Sequence, residues 1–218
     1  MRYDRLTNLI LKSELRPDSN CIDIGSHKGE ILNKILSLSP KGKHFAFEPV
    51  PEFYANLTDA FKLKAKVFPC ALSDFCGEST FKYVKNAPAY SGLKMRRYDI
   101  SNPIIEDIKV EVNTLDSMIP EDQKIDFIKI DVEGGEFNVL RGGEKLLKKN
   151  KPIIIFECGI GGSDYYNTDP LLLFNFVTKT LGLRLYTLHS FLKNEKEMDD
   201  MDFVYYYNNN IEYYFVAA

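Results

Sequence analysis

Residues 21–30 read CIDIGSHKGE: an apolar run into Asp23, two glycines four apart at Gly25 and Gly29, then the start of a helical pattern. A strand that runs into a glycine turn and then a helix is the first βα unit of an open α/β sheet. Ligands of such sheets sit beyond the carboxyl ends of the strands, where the strand order reverses. Gly25 and Gly29 let the turn approach a ligand with no Cβ in the way, and the helix offers its N-terminus. The spacing is not the G-x-G-x-x-G of a pyrophosphate cradle. Asp23 precedes the first glycine by two residues, so a carboxylate is expected to face the crevice, which disfavours a pyrophosphate and suits a cation or an amino group.

Glu48 closes the next apolar run, 23 residues after Gly25. A carboxylate at that distance is placed to accept hydrogen bonds from ribose hydroxyls. An acid for the ribose, an acidic first turn and no phosphate cradle together describe S-adenosylmethionine, a nucleoside carrying an amino acid and a sulfonium.

Outward from this turn, short apolar runs alternate with helical patterns, which predicts a parallel sheet covered by helices. TNLILKSEL sets Leu6, Leu9, Ile10 and Leu15 on one face of an opening helix within residues 1–18, ended by Pro17. EILNKILSLS is a helix with a stripe of Ile31, Leu32, Ile35 and Leu36; KHFAFEP is a second strand, PEFYANLTDAFK a helix and AKVFPCAL a third strand. Residues 73–118 change character, with alternating segments ESTFKYV and IKVEVNTL that predict an antiparallel hairpin or flap inserted between the α/β units. The rhythm resumes with IDFIKIDV as a strand, GEFNVLRGGEKLLKK as one helix, KPIIIFECG as a central strand and DPLLLFNFVTKTLG as a helix. LRLYTL, DFVYYY and IEYYFVAA read as closing strands, NEKEMDDMD as a solvated acidic loop, and the tyrosine-rich tail as either an edge strand or an interface.

At 218 residues and 44% hydrophobic content, the chain is expected to bury one large core and to form a single domain over 1–218. A net charge of −3 gives no general pull toward nucleic acid or an anionic membrane. The first twenty residues carry scattered charges unlike a signal peptide, and no apolar run approaches the roughly 18 residues of a membrane span. A cytoplasmic location and no membrane insertion are therefore expected. Cys21, Cys70, Cys76 and Cys158 form no C-x-x-C pair, and Cys21 and Cys158 lie in apolar runs as buried thiols.

The chemistry is expected at KIDVEGGE. Strand alternation puts Asp131 and Glu133 on one side with Val132 turned away. Two neighbouring carboxylates drive their pKa values apart, leaving one better suited as a base. Asp131 is read as nearest a transferred methyl group and Glu133 as binding or deprotonating the acceptor hydroxyl, with the two roles exchangeable. Glu136 is either an acceptor contact or a cap for the next helix, and Glu157, closing the fifth strand, points to the crevice mouth. With no histidine beside the carboxylates, no metal is assigned. The segment from Tyr90 and Ser91 to Tyr98 sets Lys94, Arg96 and Arg97 among aromatic rings, a pattern suited to an anionic or nucleotide-linked sugar.

The segments CIDIGSHKGE, FEPVPEFYANL, ALSDFCGESTF, YSGL, VNTLDSMI, IDFIKIDVEGGEFNVLRGGEKLL and PIIIFE occur in the order that resembles the FkbM family of S-adenosylmethionine-dependent methyltransferases, over residues 20–159. The resemblance implies a class I methyltransferase (Rossmann-like) fold: seven mostly parallel strands, one antiparallel near the end, with helices on both faces. It also implies O-methylation of a hydroxyl on a sugar, glycan or related metabolite. Carried over, Asp23, Gly25 and Gly29 line the methionine end, Glu48 holds the ribose, and Ala71, Leu72 and Ser73 meet the adenine. Ser26 and His27 stand where the family more often has Ala-Asn, and His27 is a candidate to replace that asparagine. Two rivals remain: an NAD-dependent enzyme, whose glycine fingerprint is absent, and a non-catalytic nucleotide-binding module, which would be expected to lack these acids.

Overall fold

The computed structural model describes residues 2–218. In chain order its elements are α1 (Arg2–Glu14), β1 (Cys21–Ile24), α2 (Glu30–Leu38), β2 (His44–Phe47), α3 (Pro51–Phe61), β3 (Lys66–Phe68), β4 (Cys70–Leu72), β5 (Gly77–Val84) and β6 (Ile105–Asn113). They continue as α4 (Leu115–Met118), β7 (Phe127–Ile130), α5 (Glu136–Gly142), α6 (Glu144–Asn150), β8 (Ile153–Glu157), α7 (Pro170–Asn175), β9 (Leu185–Thr187), α8 (Leu188–Leu192), α9 (Asp200–Asn208) and β10 (Tyr214–Ala217). Seven strands form one sheet in the order β3-β2-β1-β7-β8-β10-β9. β1 pairs parallel with both β2 and β7, so the order reverses beside β1. β10 runs antiparallel between β8 and β9.

Period-two alternation divides the strands between two cores. Ile22, Ile24, Ile128, Ile130, Ile154 and Phe156 pack with Val139, Leu140, Leu147, Leu173 and Phe203 from the helices on one face. Cys21, Phe127, Ile155 and Val216 pack on the other with Leu6, Ile10 and Leu11 of α1. Each such side chain contributes about 1.5–3 kcal/mol of burial. Among the described residues no helix is long and apolar enough to cross a membrane.

Several local expectations are corrected. In α1 the buried stripe is Leu6, Thr7, Ile10 and Leu11, while Leu9 is 43% exposed; the helix is rotated toward Leu11. The third strand breaks at Pro69, which has no N–H to extend a ladder. β3 stays in the main sheet, whereas β4 pairs parallel with β6, which in turn pairs antiparallel with β5. The single helix expected over 135–149 is two, α5 and α6. At the break, a Cβ on Gly142 would lie 2.0 Å from the Ser73 carbonyl oxygen, so only glycine lets the chain pass the β4 end.

DFVYYY is helical despite its β-favouring composition. Asp199 caps α9 by accepting from Asp202 N at 2.9 Å, and Phe203 and Tyr207, four apart, are buried. The acidic run is thus partly a helix start rather than only a solvated loop. The tail strand β10 lies inside the sheet, and β9 is at the edge.

Candidate active site

A cleft opens at the carboxyl ends of β1, β2 and β7, with about 880 Å³ of free space that includes the solvent at its mouth. Its floor exists because residue 25 is glycine: φ is +78°, and a Cβ there would lie 1.8 Å from the main-chain oxygen of Asp131. Gly25 N and Ser26 N both donate to the Phe47 carbonyl, at 3.0 and 3.1 Å. His27 is also left-handed, with φ +48°, and its N–H donates to Glu48 Oε2 at 2.7 Å. Val50 N donates to Glu48 Oε1 at 2.9 Å. The Glu48 carboxylate thereby ties together the loops after β1 and β2, and its burial pushes its pKa up to about 7.

Gly25, His27, Glu48, Ala71, Leu72, Ser73 and Asp131 all line this cleft, with Val50, Phe53 and Phe81 completing an apolar wall. The His27 ring meets Phe53 edge-on at 4.5 Å, and its buried Nε2 has no partner within the protein. Asp23, Ser26 and Gly29 support the turn from behind instead. Asp23 does not face the crevice: strand alternation turns its side chain to the α1 side, where it is 2% exposed. Its Oδ2 is unpartnered, and burial, opposed by Lys129, raises its pKa to about 6. Ser26 Oγ donates to the Asp23 carbonyl at 2.9 Å, and Gly29 caps α2 with φ +76°.

Asp131 follows β7 directly and is held from two sides. Lys129 Nζ donates to its Oδ2 at 2.9 Å and Tyr214 OH to the same oxygen at 2.8 Å. Burial works to raise the Asp131 pKa, but Lys129 and Tyr214 outweigh it and hold the carboxyl below the usual range. Lys129, 3% exposed, also lies 4.6 Å from the Tyr214 ring centroid. Glu157 Oε2 is 3.3 Å from the Tyr214 hydroxyl. Burial first, then Asp131 and Glu136, push Glu157 up to about 8.

Glu133 has a left-handed backbone, φ +62°, and pairs with Arg96, which also reaches Glu157 at 3.9 Å. Tyr90, Arg96, Arg97, Glu133, Glu157 and Tyr213 line a second cleft that adjoins the first at Glu133. Ser91 belongs to the first cleft, where its Oγ accepts from Val84 N at 2.9 Å. Lys94 lines neither; its Nζ lies 5.1 Å from the centroid of the Tyr166 ring.

Glu136 is corrected to a loop brace. It is 1% exposed, and its Oε1 accepts from Val132 N at 2.9 Å and Gly134 N at 3.1 Å. Burial raises its pKa to about 7. Asp131, Glu133 and Glu157 each offer an oxygen within 4.8 Å of the others; Arg96 and Lys129 supply the positive charge against them. Sequence reasoning missed Lys129, Tyr213 and Tyr214. A lone charge in the apolar strand FIKI was the available signal for Lys129; nothing local marks the two tyrosines.

The acids carry a testable consequence. Asp23, Glu48, Glu136 and Glu157 are ionised in the unfolded chain above their ordinary pKa values but retain protons in the fold up to about 6, 7, 7 and 8. The folded state binds more protons across that window, so stability falls as pH rises through it. Asp131 acts oppositely, its contribution being lost only on acidification through its lowered value. The cofactor-free protein should melt several degrees lower at about pH 8 than at about pH 5.5. A melting temperature that is flat or rises over that range would contradict the assignment.

A family model described as the methyltransferase FkbM domain matches residues 23–171. The chain is 28% identical over 155 residues to the 2-O-methyltransferase NoeI of Sinorhizobium fredii, covering 62% of this chain and 62% of that protein. It is 24% identical over 145 residues to Methyltransferase 1 of Beauveria bassiana, covering 57% and 58%. It therefore matches about three-fifths of the length of these two relatives. Among solved structures, the FkbM methyltransferase of Methylobacillus flagellatus shares the fold, with a TM-score of 0.56 at 16% identity over 94% of this chain and 44% of that one. S-adenosylmethionine, the methyl donor of such enzymes, fits the residues present: a glycine floor that a Cβ would fill, a strand-end carboxylate, an apolar wall and an ionised Asp131. With more than half of its length matched by the family model, this chain belongs to the FkbM methyltransferase family.

Proposed function

We propose that the protein transfers the methyl group of S-adenosylmethionine to a hydroxyl of a sugar, glycan or related metabolite. One observation carries the reading: Glu133 lines both adjoining clefts, with the ionised Asp131 on the donor side and Glu157 on the acceptor side. S-adenosylmethionine supplies an electrophilic methyl on a sulfonium. The residues supply position and charge. Glu48 receives the ribose diol, Val50, Phe53, Leu72 and Phe81 flank a flat base, and Asp131 faces the cation.

Charge on the donor is neutralised during transfer, so a fully exposed negative group would hold the ground state too well. Lys129 and Tyr214 temper Asp131 in that sense. The acceptor oxygen must lie in line at roughly 3–3.5 Å, and Glu133, common to both clefts, is the residue placed to position it. Bound S-adenosylmethionine would supply the methyl group and a neutral thioether leaving group, and Glu133, lining both clefts, would accept the proton of the acceptor hydroxyl. The relative NoeI, a 2-O-methyltransferase by name, supports an oxygen acceptor.

Calorimetry with S-adenosylmethionine tests the donor half. The wild type should bind, and Glu48→Gln should weaken binding roughly 10–100-fold, the value of hydrogen bonds to a charged group. No affinity in the folded wild type would sink the reading and favour a module that has lost catalysis. Methyl transfer from labelled donor to a panel of hydroxyl acceptors tests the other half.

A further inference from the structure

The second cleft contains two of the three basic residues whose sequence pattern suits an anionic or nucleotide-linked sugar, Arg96 and Arg97, yet in the fold each of the three already has a partner. Arg96, whose side chain is 13% exposed, pairs with Glu133 and reaches Glu157; its guanidinium also lies 5.3 Å from the Tyr90 ring centroid. Arg97 Nε lies 3.2 Å from Asp99 Oδ1, and its main-chain N–H donates to the Gly161 carbonyl at 2.9 Å. Lys94 is outside the cleft, its Nζ donating to the Tyr165 carbonyl at 3.5 Å.

Within the cleft, three carboxyl groups, Asp99, Glu133 and Glu157, face two guanidinium groups. Asp131 adds a further acid behind them, linked through the Tyr214 hydroxyl. Glu157 holds its proton up to about 8, so Asp99 and Glu133 balance Arg96 and Arg97, and a phosphate or carboxylate entering here finds no unpaired cation. It could recruit Arg96 only by stripping Glu133 of its partner in a half-buried site, which opposes binding. A cationic acceptor finds its place beside the acids taken by Arg96. What is left for an acceptor is the Tyr213 ring and the part of the Tyr90 ring that Arg96 does not cover, in a cleft otherwise lined by paired hydrogen-bonding groups. Aromatic faces cover the apolar C–H side of a ring, and carboxylates and guanidinium edges bond its hydroxyls.

We propose that the acceptor is an uncharged polyhydroxylated ring, a neutral sugar residue, seated against Tyr90 and Tyr213 beside the Arg96–Glu133 pair. This rests on the methyl-transfer reading above and narrows its acceptor to one charge class. A phosphorylated, acidic or nucleotide-linked sugar is disfavoured by the cleft itself.

Saturation-transfer NMR on the full chain loaded with S-adenosylmethionine tests it, using as probes a methyl hexopyranoside, its 6-phosphate, the matching uronate and the matching 2-amino sugar at equal concentration. The neutral hexoside should engage the protein, with the phosphate and uronate weaker by on the order of tenfold or more. Its binding should be nearly insensitive to salt, as expected where no net charge is neutralised. Tyr213→Ala, checked for folding by circular dichroism, should lose most of the signal. Equal or tighter binding of a charged probe, a steep salt dependence, or no engagement of the neutral ring would each overturn the inference. Absence of S-adenosylmethionine binding by calorimetry is a separate result that sinks the methyl-transfer reading itself.

Discussion

Asp131→Asn should leave S-adenosylmethionine affinity within a few-fold of wild type while turnover falls by about 10²–10⁴-fold. The amide has the shape of the carboxylate and can still accept from Tyr214 OH, which lies 2.8 Å from Oδ2. The ribose and base contacts proposed for Glu48 and the apolar wall are untouched. What disappears is a negative charge that Lys129 and Tyr214 keep ionised, together with its orienting effect on donor and acceptor. Calorimetry and labelled methyl transfer on the same preparation separate the two effects. Survival of turnover would remove Asp131 from the mechanism; loss of both binding and turnover would make it a donor-binding residue only.

The largest expected loss of stability is at Lys129. Its ammonium is 3% exposed, bonds Asp131, sits against the Tyr214 ring and lies across the β1–β7 pairing from Asp23. Lys129→Met keeps most of the side-chain volume but leaves the buried Asp23 and the cleft-lining Asp131 with no cation between them. Removing one partner of a buried pair costs about 3–5 kcal/mol, which for a chain of this size lowers the melting temperature on the order of ten degrees. The effect should shrink on acidification, because protonating Asp23 and Asp131 removes the unpaired charge. Adding Asp23→Asn to Lys129→Met should recover part of the loss. A single variant as stable as wild type near neutral pH would show that the acids do not depend on Lys129.

Both experiments probe groups that the sequence marked unequally. The motif KIDVEGGE pointed to Asp131 and Glu133 because a strand end is local, but strict alternation is not what places them: β7 stops at Ile130, Glu133 sits in a left-handed turn, and Val132, expected to turn away, lines the same cleft. Gly25 and Glu48 were legible for the same reason. Asp23 was misplaced because its face depends on which side of the sheet the cleft opens, and a single strand cannot encode that. Glu136 was readable equally as a cap or a contact, and two N–H donors in its own loop make it a brace.

The α/β order, the parallel sheet around β1 and the glycine-floored turn at Gly25 followed from short-range patterns: apolar periods of two and of 3.6, a glycine turn, and acids at strand ends. These are properties of ten to twenty consecutive residues, and backbone geometry reads them directly. The second cleft was legible only in part: Tyr90, Arg96, Arg97 and Glu157 do line it, but how they are paired did not follow. Tyr214 reaches Asp131 across 83 positions of sequence, because β10 inserts antiparallel between β8 and β9. The Arg96 pairing with Glu133 joins the segment after β5 to the loop after β7. Whether a basic residue is free to bind an anion or already paired depends on contacts between distant segments, and those contacts exist only once the cores on both sides of the sheet have packed.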